Sequence, residues 1–268
     1  MAAAIVGAWT QAAPAKTKTP RSESARGKRI QPWNPDVNGA IQYASSRRGI
    51  IAFAVRTKSH YWGWYDTRTY PSASVLKAML MVAFLRQHAA DRDLSGNERY
   101  TLESMIRWSD NNSASRMFNT VGTRGLDQLA FDAHMKHFSP ASPVWGNSQV
   151  DAEDQTEFFL HIRELIPSRH RDYAMNLLET IVPDQRWGVG RVQPAGWRLF
   201  FKGGWGSGTG RVDHQVALLT HSKLRLSVAV MTMNDGSHAY GKETLEGMFA
   251  RLLSGLPEHG PMVIGKPY

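Results

Sequence analysis

Apolar positions along this chain change their periodicity twice. Near the start, two short runs rich in β-branched and aromatic residues predict a hairpin over 50–55 and 61–65. Near the end, three further runs predict a meander over 197–201, 212–219 and 224–233. A lone hairpin is only marginally stable, and sequential antiparallel strands usually pair. We therefore expect the two ends of the chain to complete one antiparallel sheet.

Between the two groups of strands the spacing is helical from Ser74 to about Pro183, and no strand candidate interrupts it. Helices are predicted there after the Ser74 helix at 101–108, 111–120, 124–135, 151–165 and 168–181. One more helix, starting at Asn34-Pro35 and ending near Ser46, precedes the hairpin, and another, over 239–254, closes the chain. The pattern predicts an α+β fold in which an antiparallel sheet is flanked by helices and carries an inserted all-α lobe. The predicted ranges are 34–70 and 196–268 for the sheet lobe and 71–195 for the all-α lobe.

The helix that begins near Ser74 is apolar on nearly every side for three turns, so we expect it to be buried at the domain centre. Lys77 follows Ser74 by three residues and therefore shares its face. A serine hydroxyl becomes a nucleophile when a neighbouring base takes its proton, and a desolvated lysine can act as that base. The alternative is a capping serine beside a lysine that only extends out of the core.

Composition and charge argue against some classes of function for this protein. The 268 residues are 42% hydrophobic, enough for a substantial core, and include no cysteine. Over half of the +9 net charge lies in 16–30, where six Lys or Arg residues face one Glu. A Ser/Thr/Pro-spaced segment of this kind is usually a solvated tether, so specific nucleic-acid binding is not expected. No apolar run is long enough to span a membrane.

The first fifteen residues are uncharged and end in Ala12-Ala13-Pro14-Ala15. They resemble the apolar core and small-residue cleavage site of a secretory signal, although the usual basic start is missing. We expect an exported protein in which 1–33 is a signal remnant and flexible linker, followed by one catalytic domain over 34–268. The alternative is a disordered tail.

Two further motifs contain candidate site residues. Ser109-Asp110-Asn111 lies between two predicted helices, and Lys202-Gly203-Gly204-Trp205 ends a predicted strand at a glycine-rich turn. Each motif has an ordinary structural explanation, a helix cap in the first case and a hairpin turn in the second. Together with Ser74-x-x-Lys77, and in this order, they are harder to explain by structure alone.

With these three motifs, the chain resembles the penicillin-recognising serine hydrolases, the superfamily of the penicillin-binding proteins, and within it the class A β-lactamase-like branch, over roughly 34–255. The resemblance implies an active site in the cleft between a sheet lobe and an all-α lobe. It also implies an acyl-enzyme mechanism without a metal or other cofactor, and a small-molecule or peptidoglycan-type acyl substrate. We expect a monomer.

The resemblance also implies a role for each motif residue. Ser74 would be acylated, Lys77 would be its general base or part of a proton relay, and Ser109 would pass protons to the departing nitrogen. Asn111 would bind the substrate's amide side chain. Lys202, with Gly203 and Gly204 beside it, would bind the substrate carboxylate. The backbone N–H groups of Ser74 and Trp205 would form the oxyanion hole.

The chain departs from the family pattern at two places. Gly203 stands where a hydroxyl residue is expected, which puts carboxylate recognition in doubt. The loop over 137–150 contains no acid, although class A enzymes carry there the glutamate that activates the deacylating water. Glu153 and Asp154 follow, in a predicted first helical turn where carboxylates usually stabilise the helix dipole.

The predicted function is therefore a serine hydrolase or acyltransferase that forms an acyl-enzyme with a β-lactam, a cell-wall peptide amide or an ester, and that is not an efficient β-lactamase. Two alternatives stay open: a genuine class A β-lactamase, and a non-catalytic penicillin-binding or sensor protein. His134 and His137 share a predicted helical face, but with no third ligand nearby a metal site is not expected.

Overall fold

A computed structural model describes residues 33–206 and 211–258. The predicted export signal and nearly all of the basic linker lie outside the described residues. The strands are β1 (Ile50–Thr57), β2 (Tyr61–Trp64), β3 (Tyr70–Pro71), β4 (Gln149–Val150), β5 (Arg198–Gly206), β6 (Val212–His221) and β7 (Leu224–Met233). The helices are α1 (Val37–Ser46), α2 (Leu76–His88), α3 (Gly96–Arg107), α4 (Asn111–Asp132), α5 (Ala152–Leu165), α6 (Arg171–Glu179) and α7 (His238–Leu252).

Five strands form one antiparallel sheet in the order β2-β1-β7-β6-β5. The early hairpin joins the closing meander through the β1–β7 pair, in which Phe53 lies opposite Val230. This confirms the prediction of one sheet built from both ends of the chain, and with it the α+β fold. Strand β5 is the last strand of the sheet and pairs with β6 alone, so its other edge is available to the active site.

Helix α2 lies at the centre of the molecule, as its apolar sequence predicts. Every residue from Leu76 to Leu85 is buried, including Lys77. A three-residue 3-10 turn, Ala73–Val75, leads into the helix and contains Ser74. Because the helix is buried on all sides, its packing also fixes the position of the turn that contains Ser74.

The helices divide between the two faces of the sheet and a separate helical layer. Helix α5 packs on β1, β7 and β6, and the Ser227 hydroxyl of β7 donates to the Thr156 carbonyl of α5. Helix α7 packs on β6 and β7 together with α1. Helices α2, α3 and α4 pack on one another. Helix α6 packs on β5. The predicted all-α range therefore includes two helices, α5 and α6, that pack on the sheet.

The structure corrects two details of the sequence prediction and agrees with a third. The prediction of no strand in the middle of the chain is wrong, because β4 pairs with β3 through Tyr70 and Val150. The two helices predicted at 111–120 and 124–135 correspond to the two segments of α4, which are joined across a kink at the non-helical residue Gly122. Trp33, assigned to the tail, is buried and donates from Nε1 to the Ser254 carbonyl at 2.8 Å.

In the described ranges, no helix is both long enough and apolar enough to cross a membrane.

Candidate active site

Ser74 lies where strand β5 meets the start of α2. It is 8% exposed, and the preceding residue, Ala73, has a φ of 43°. A positive φ is unfavourable for a residue with a Cβ and is tolerated where the surroundings impose it, often at functional sites. The close packing of Gly204 of β5 contributes to these surroundings, since a Cβ there would lie 2.8 Å from the backbone nitrogens of Ser74 and Val75.

Lys77 is fully buried one turn further along α2. Its Nζ donates to the Ser109 carbonyl at 2.5 Å, the Ser109 hydroxyl at 3.1 Å and the Asn111 Oδ1 at 2.7 Å. Burial lowers the pKa of the Lys77 amine to about 7, and the nearby Asp110 carboxylate offsets part of that effect. A substantial fraction of this amine is therefore neutral at pH 7. Its hydrogen bonds within the described residues join it to Ser109 and Asn111 rather than to Ser74.

Lys202, on β5, also lies close to the Ser109 hydroxyl. Its Nζ donates to Ser109 Oγ at 3.0 Å and to the Gly203 carbonyl at 2.7 Å. Complete burial and the neighbouring Lys77 amine hold the pKa of Lys202 well below its usual range. The Ser109 side chain thus bridges the helix and the strand, and the structure brings Ser109, Lys77, Asn111 and Lys202 together as the motifs predict.

The oxyanion-hole prediction concerns two backbone N–H groups, those of Ser74 and Trp205. The Cβ position of Gly204 lies against the Ser74 nitrogen, so β5 passes the Ser74 backbone at van der Waals contact. Trp205 is the next residue on this strand and also lines the cleft. Only a glycine at position 204 permits this approach without displacing the strand.

Gly203 is directed away from the cleft. It lies opposite Gln215 in the register, on the sheet face that packs under Trp187. A Cβ at this position would lie 3.1 Å from two atoms of the Trp187 indole. A residue with a hydroxyl, as the family pattern expects, would crowd that indole. Neither Gly203 nor Gly204 lines the cavity at Ser74, although both were predicted to bind substrate.

Sequence reasoning missed a cluster on that same face. The His238 imidazole, at the start of α7, stacks on the Trp205 indole with ring centroids 5.3 Å apart, and Trp187 packs edge-on against both rings. His238 Nδ1 lies 2.5 Å from Asp213 Oδ1. Burial raises the pKa of Asp213 to about 6. No motif joins these residues, because 205, 213 and 238 meet only once β5, β6 and α7 are packed.

The cleft beside Ser74 is a cavity of about 360 Å³. Its lining includes Ser74, Ser109, Asn111, Ser115, Trp145 and Trp205. Among the described residues that line it, none carries a carboxylate. The loop expected to supply an acid instead places the Trp145 ring 5.1 Å from Lys77 Nζ, and the indole Nε1 donates to the Ser115 hydroxyl.

The three acids that follow this loop in sequence make contacts outside the cleft. Glu153 pairs with Lys136 at 2.9 Å, and the Asp154 carboxylate accepts the backbone N–H groups of Lys136 and His137. Asp151, which caps α5, lies 2.6 Å from His137 Nδ1, and burial raises its pKa to about 7. These groups fix the loop before α5, and none of them lines the cleft.

The sequence profile of the β-lactamase enzyme family matches residues 97–253, more than half of the chain. The chain belongs to the β-lactamase enzyme family. The matched range includes Ser109 and Lys202, and it begins after Ser74 and Lys77. No curated protein matches the sequence.

Solved structures of β-lactamases share the fold of this family member. The β-lactamase of Sphaerobacter thermophilus superposes with a TM-score of 0.68 at 17% identity, covering 82% of this chain and 95% of its own. The class A β-lactamase of Mycobacterium abscessus gives 0.69 at 15% identity, with 81% and 98% covered. The chromosome-encoded β-lactamase of Vibrio parahaemolyticus gives 0.69 at 13% identity, with 81% and 97% covered. At these identities the likeness concerns the fold.

Proposed function

We propose that this β-lactamase-family hydrolase forms an acyl-enzyme on Ser74 with a lactam, an amide or an ester. Neutral Lys77 takes the Ser74 proton, directly or through Ser109, as the hydroxyl attacks the carbonyl. Ser109 then delivers its proton to the departing nitrogen, or to the departing oxygen of an ester, and takes a proton back from the Lys77 ammonium, 3.1 Å away. The N–H groups of Ser74 and Trp205 stabilise the oxyanion, and donors of this kind contribute about 3–4 kcal/mol each in comparable sites.

The absence of a carboxylate among the described residues lining the cleft is the observation that supports slow deacylation. Water is a weak nucleophile, and without a positioned base its attack on the ester of the acyl-enzyme loses about 10²–10⁴-fold in rate. We infer that the physiological acyl donor is a cell-wall peptide amide, processed by hydrolysis or by transfer to an amine, rather than an antibiotic that must be destroyed rapidly. Such a substrate lies outside the cytoplasm, in keeping with the predicted export.

One observation favours a second candidate, a working class A β-lactamase. Because burial lowers the pKa of Lys77 to about 7, this amine can be neutral again once Ser74 is acylated. It could then activate the deacylating water in place of the missing acid. The two candidates share the acylation step and differ in how long the acyl-enzyme lasts.

The first experiment is intact-protein mass spectrometry after mixing the protein with several penicillins and a cephalosporin. An adduct that persists for hours, and that Ser74→Ala eliminates, is the result we expect. Rapid loss of antibiotic without a lasting adduct would favour the β-lactamase candidate. An adduct that still forms on Ser74→Ala would remove Ser74 as the nucleophile.

A further inference from the structure

A second cavity, of about 560 Å³, lies on the helical side of the catalytic cleft. It is formed by the end of α3 and the start of α4, and its lining includes Tyr100, Glu103, Trp108, Asp110, Asn112 and Arg116. Of these residues only Asp110 acts on the acylation mechanism, through its charge near Lys77. The cavity is larger than the one at Ser74 and shares no lining residue with it.

Two large aromatic side chains of this cavity face solvent. Tyr100 is 67% exposed and Trp108 is 50% exposed, and they are two of only five large hydrophobic residues that are exposed in the described part of the chain. Exposing an indole and a phenol ring costs hydrophobic free energy, and grouped exposed aromatics mark ligand-binding surfaces. The guanidinium of Arg107 covers the Trp108 ring at 4.6 Å, which holds the indole in place.

The rest of the lining offers hydrogen bonds rather than a strong net charge. Asn112 and Arg116 are exposed, and Glu103 and Asp110 are partly exposed. Asp110 is held by the Ser113 backbone N–H at 2.6 Å, and Arg116 donates to the Ser113 hydroxyl at 3.2 Å. Flat aromatic surfaces beside fixed amide, carboxylate and guanidinium groups suit a ligand with an apolar C–H face and a rim of hydroxyl and amide groups. A pyranose ring with an acetamido substituent has this chemistry.

The two cavities are separated by one turn of chain. Ser109 and Asn111 face the catalytic cleft, whereas Trp108, Asp110 and Asn112 face the second cavity. The loop at 108–110 and the first residues of α4 therefore form the ridge between them. An extended peptide spans about 3.3–3.6 Å per residue, so a peptide of a few residues suits the crossing from a sugar in the second cavity to an amide at Ser74.

We propose that the cavity lined by Tyr100 and Trp108 is a saccharide subsite for the glycan to which the cell-wall peptide is attached. This inference rests on the proposed function, since it specifies the substrate of the same site. The ring of one sugar packs on the two aromatic side chains, and Asn112, Glu103 and Arg116 bind its polar substituents. The attached peptide crosses the start of α4 to reach Ser74.

The test compares acylation of Ser74 by a synthetic cell-wall peptide with and without its N-acetylated disaccharide. The wild-type protein should prefer the disaccharide-peptide in kcat/KM. Trp108→Ala and Tyr100→Ala should each lower this preference by up to about 10-fold, since an aromatic contact of this kind contributes about 0.5–1.5 kcal/mol. Using the ratio of two substrates cancels any general loss of activity in a variant.

Phe131→Ala is the matched control. Phe131 is the most exposed aromatic residue in the described ranges, at 76%, and lies at the far end of α4, so the preference should stay at the wild-type value. Titration with a soluble β-1,4-linked N-acetylglucosamine tetramer gives a readout without catalysis, and Trp108→Ala should weaken its binding.

The possible failures are distinguishable. If penicillins acylate Ser74 but the disaccharide brings no preference and the tetramer does not bind, the saccharide subsite is wrong while the proposed function stands. If Trp108→Ala and Phe131→Ala have equal effects on the preference, the subsite is also wrong. If no acyl donor modifies Ser74, the proposed function itself fails, and tetramer binding alone then decides whether the cavity holds a saccharide.

Discussion

At the scale of single residues, the Ser109 hydroxyl is the most informative group of the site. Its oxygen accepts from Lys77 at 3.1 Å and from Lys202 at 3.0 Å. A hydroxyl has two acceptor positions and one hydrogen. When Lys77 is neutral, its lone pair can instead accept the Ser109 hydrogen, so this hydroxyl can pass a proton between the Lys77 amine and the cleft that it lines. This arrangement suits a group that delivers a proton to a departing nitrogen.

The pH dependence of acylation tests the role of Lys77. If neutral Lys77 is the base, the second-order acylation rate should rise with pH through about 7 and level off above it, because burial lowers its pKa to that value. Lys77→Ala should reduce the rate by about 10²–10⁴-fold. Stopped-flow acylation by a chromogenic cephalosporin measures both effects. A rate that is independent of pH from 5 to 9 would contradict the assignment.

Asp110→Asn is the sharper variant for the same role. Asn keeps the hydrogen bond that caps α4, since Asn and Asp cap helices about equally well. It removes the negative charge that raises the pKa of Lys77, so the midpoint of the pH profile should move to lower pH. An unchanged midpoint, or one displaced to higher pH, would show that the titrating group is not Lys77.

At the scale of elements, the approach of β5 to the start of α2 sets the geometry of the proposed oxyanion hole. A Cβ at Gly204 would lie 2.8 Å from two backbone nitrogens, which cannot turn away as a flexible side chain can. Gly204→Ala should therefore displace the strand, lower the acylation rate by about 10²-fold or more and cost stability, because removing one such donor has that effect in comparable sites.

Gly96→Ala is the matched control for this substitution. Gly96 lies at the start of α3 with no atom within 4 Å of its Cβ position, so alanine there should leave acylation unchanged and slightly increase stability. Thermal unfolding and the acylation rate of both variants decide the comparison. Equal acylation by Gly204→Ala and the wild type would exclude a strict geometric role for this strand.

Helices and strands could be predicted from the sequence where a local pattern of residues determines them. They were harder to predict where tertiary packing determines them. The apolar run of α2 and the aromatic hairpin of β1 and β2 show their burial directly in residue order. The β3–β4 pair was missed because two-residue strands have no periodicity. The direction of Gly203 was missed for another reason: it depends on the register of β5 against β6 and on the position of Trp187, which no local pattern contains.

The same distinction applies to the site. Three motifs located Ser74, Lys77, Ser109, Asn111 and Lys202, because each motif places its residues on one turn or one strand end. The contact between His238 and Trp205 joins residues 33 positions apart in sequence, on different elements. The sequence shows directly that the loop over 137–150 contains no acid. The position of the Trp145 ring over the Lys77 amine could not be predicted from the loop sequence and is seen only in the structure.

At the scale of the whole molecule, the first and last segments of the described residues pack against each other. Trp33 precedes α1 and donates to the Ser254 carbonyl, just beyond α7, and its ring packs edge-on against Trp62 at 6.1 Å. Helices α1 and α7 also pack on each other. The sheet itself is built from both ends of the chain, so this contact holds together segments that are far apart in sequence.

Trp33→Ala should therefore destabilise the entire unit rather than one end of it. Trp33 is 5% exposed, and truncating a buried tryptophan to alanine costs about 3–5 kcal/mol, a large share of the 5–15 kcal/mol that stabilises a typical domain. Trp33→Phe should lose much less, because it keeps one aromatic ring in the core and loses only the pyrrole part of the indole with its hydrogen bond to Ser254. Urea unfolding followed by circular dichroism, which reports on helices throughout the molecule, should show one transition at lower urea for Trp33→Ala. A separate early transition with the main one unchanged would mean instead that this end unfolds independently of the catalytic sheet.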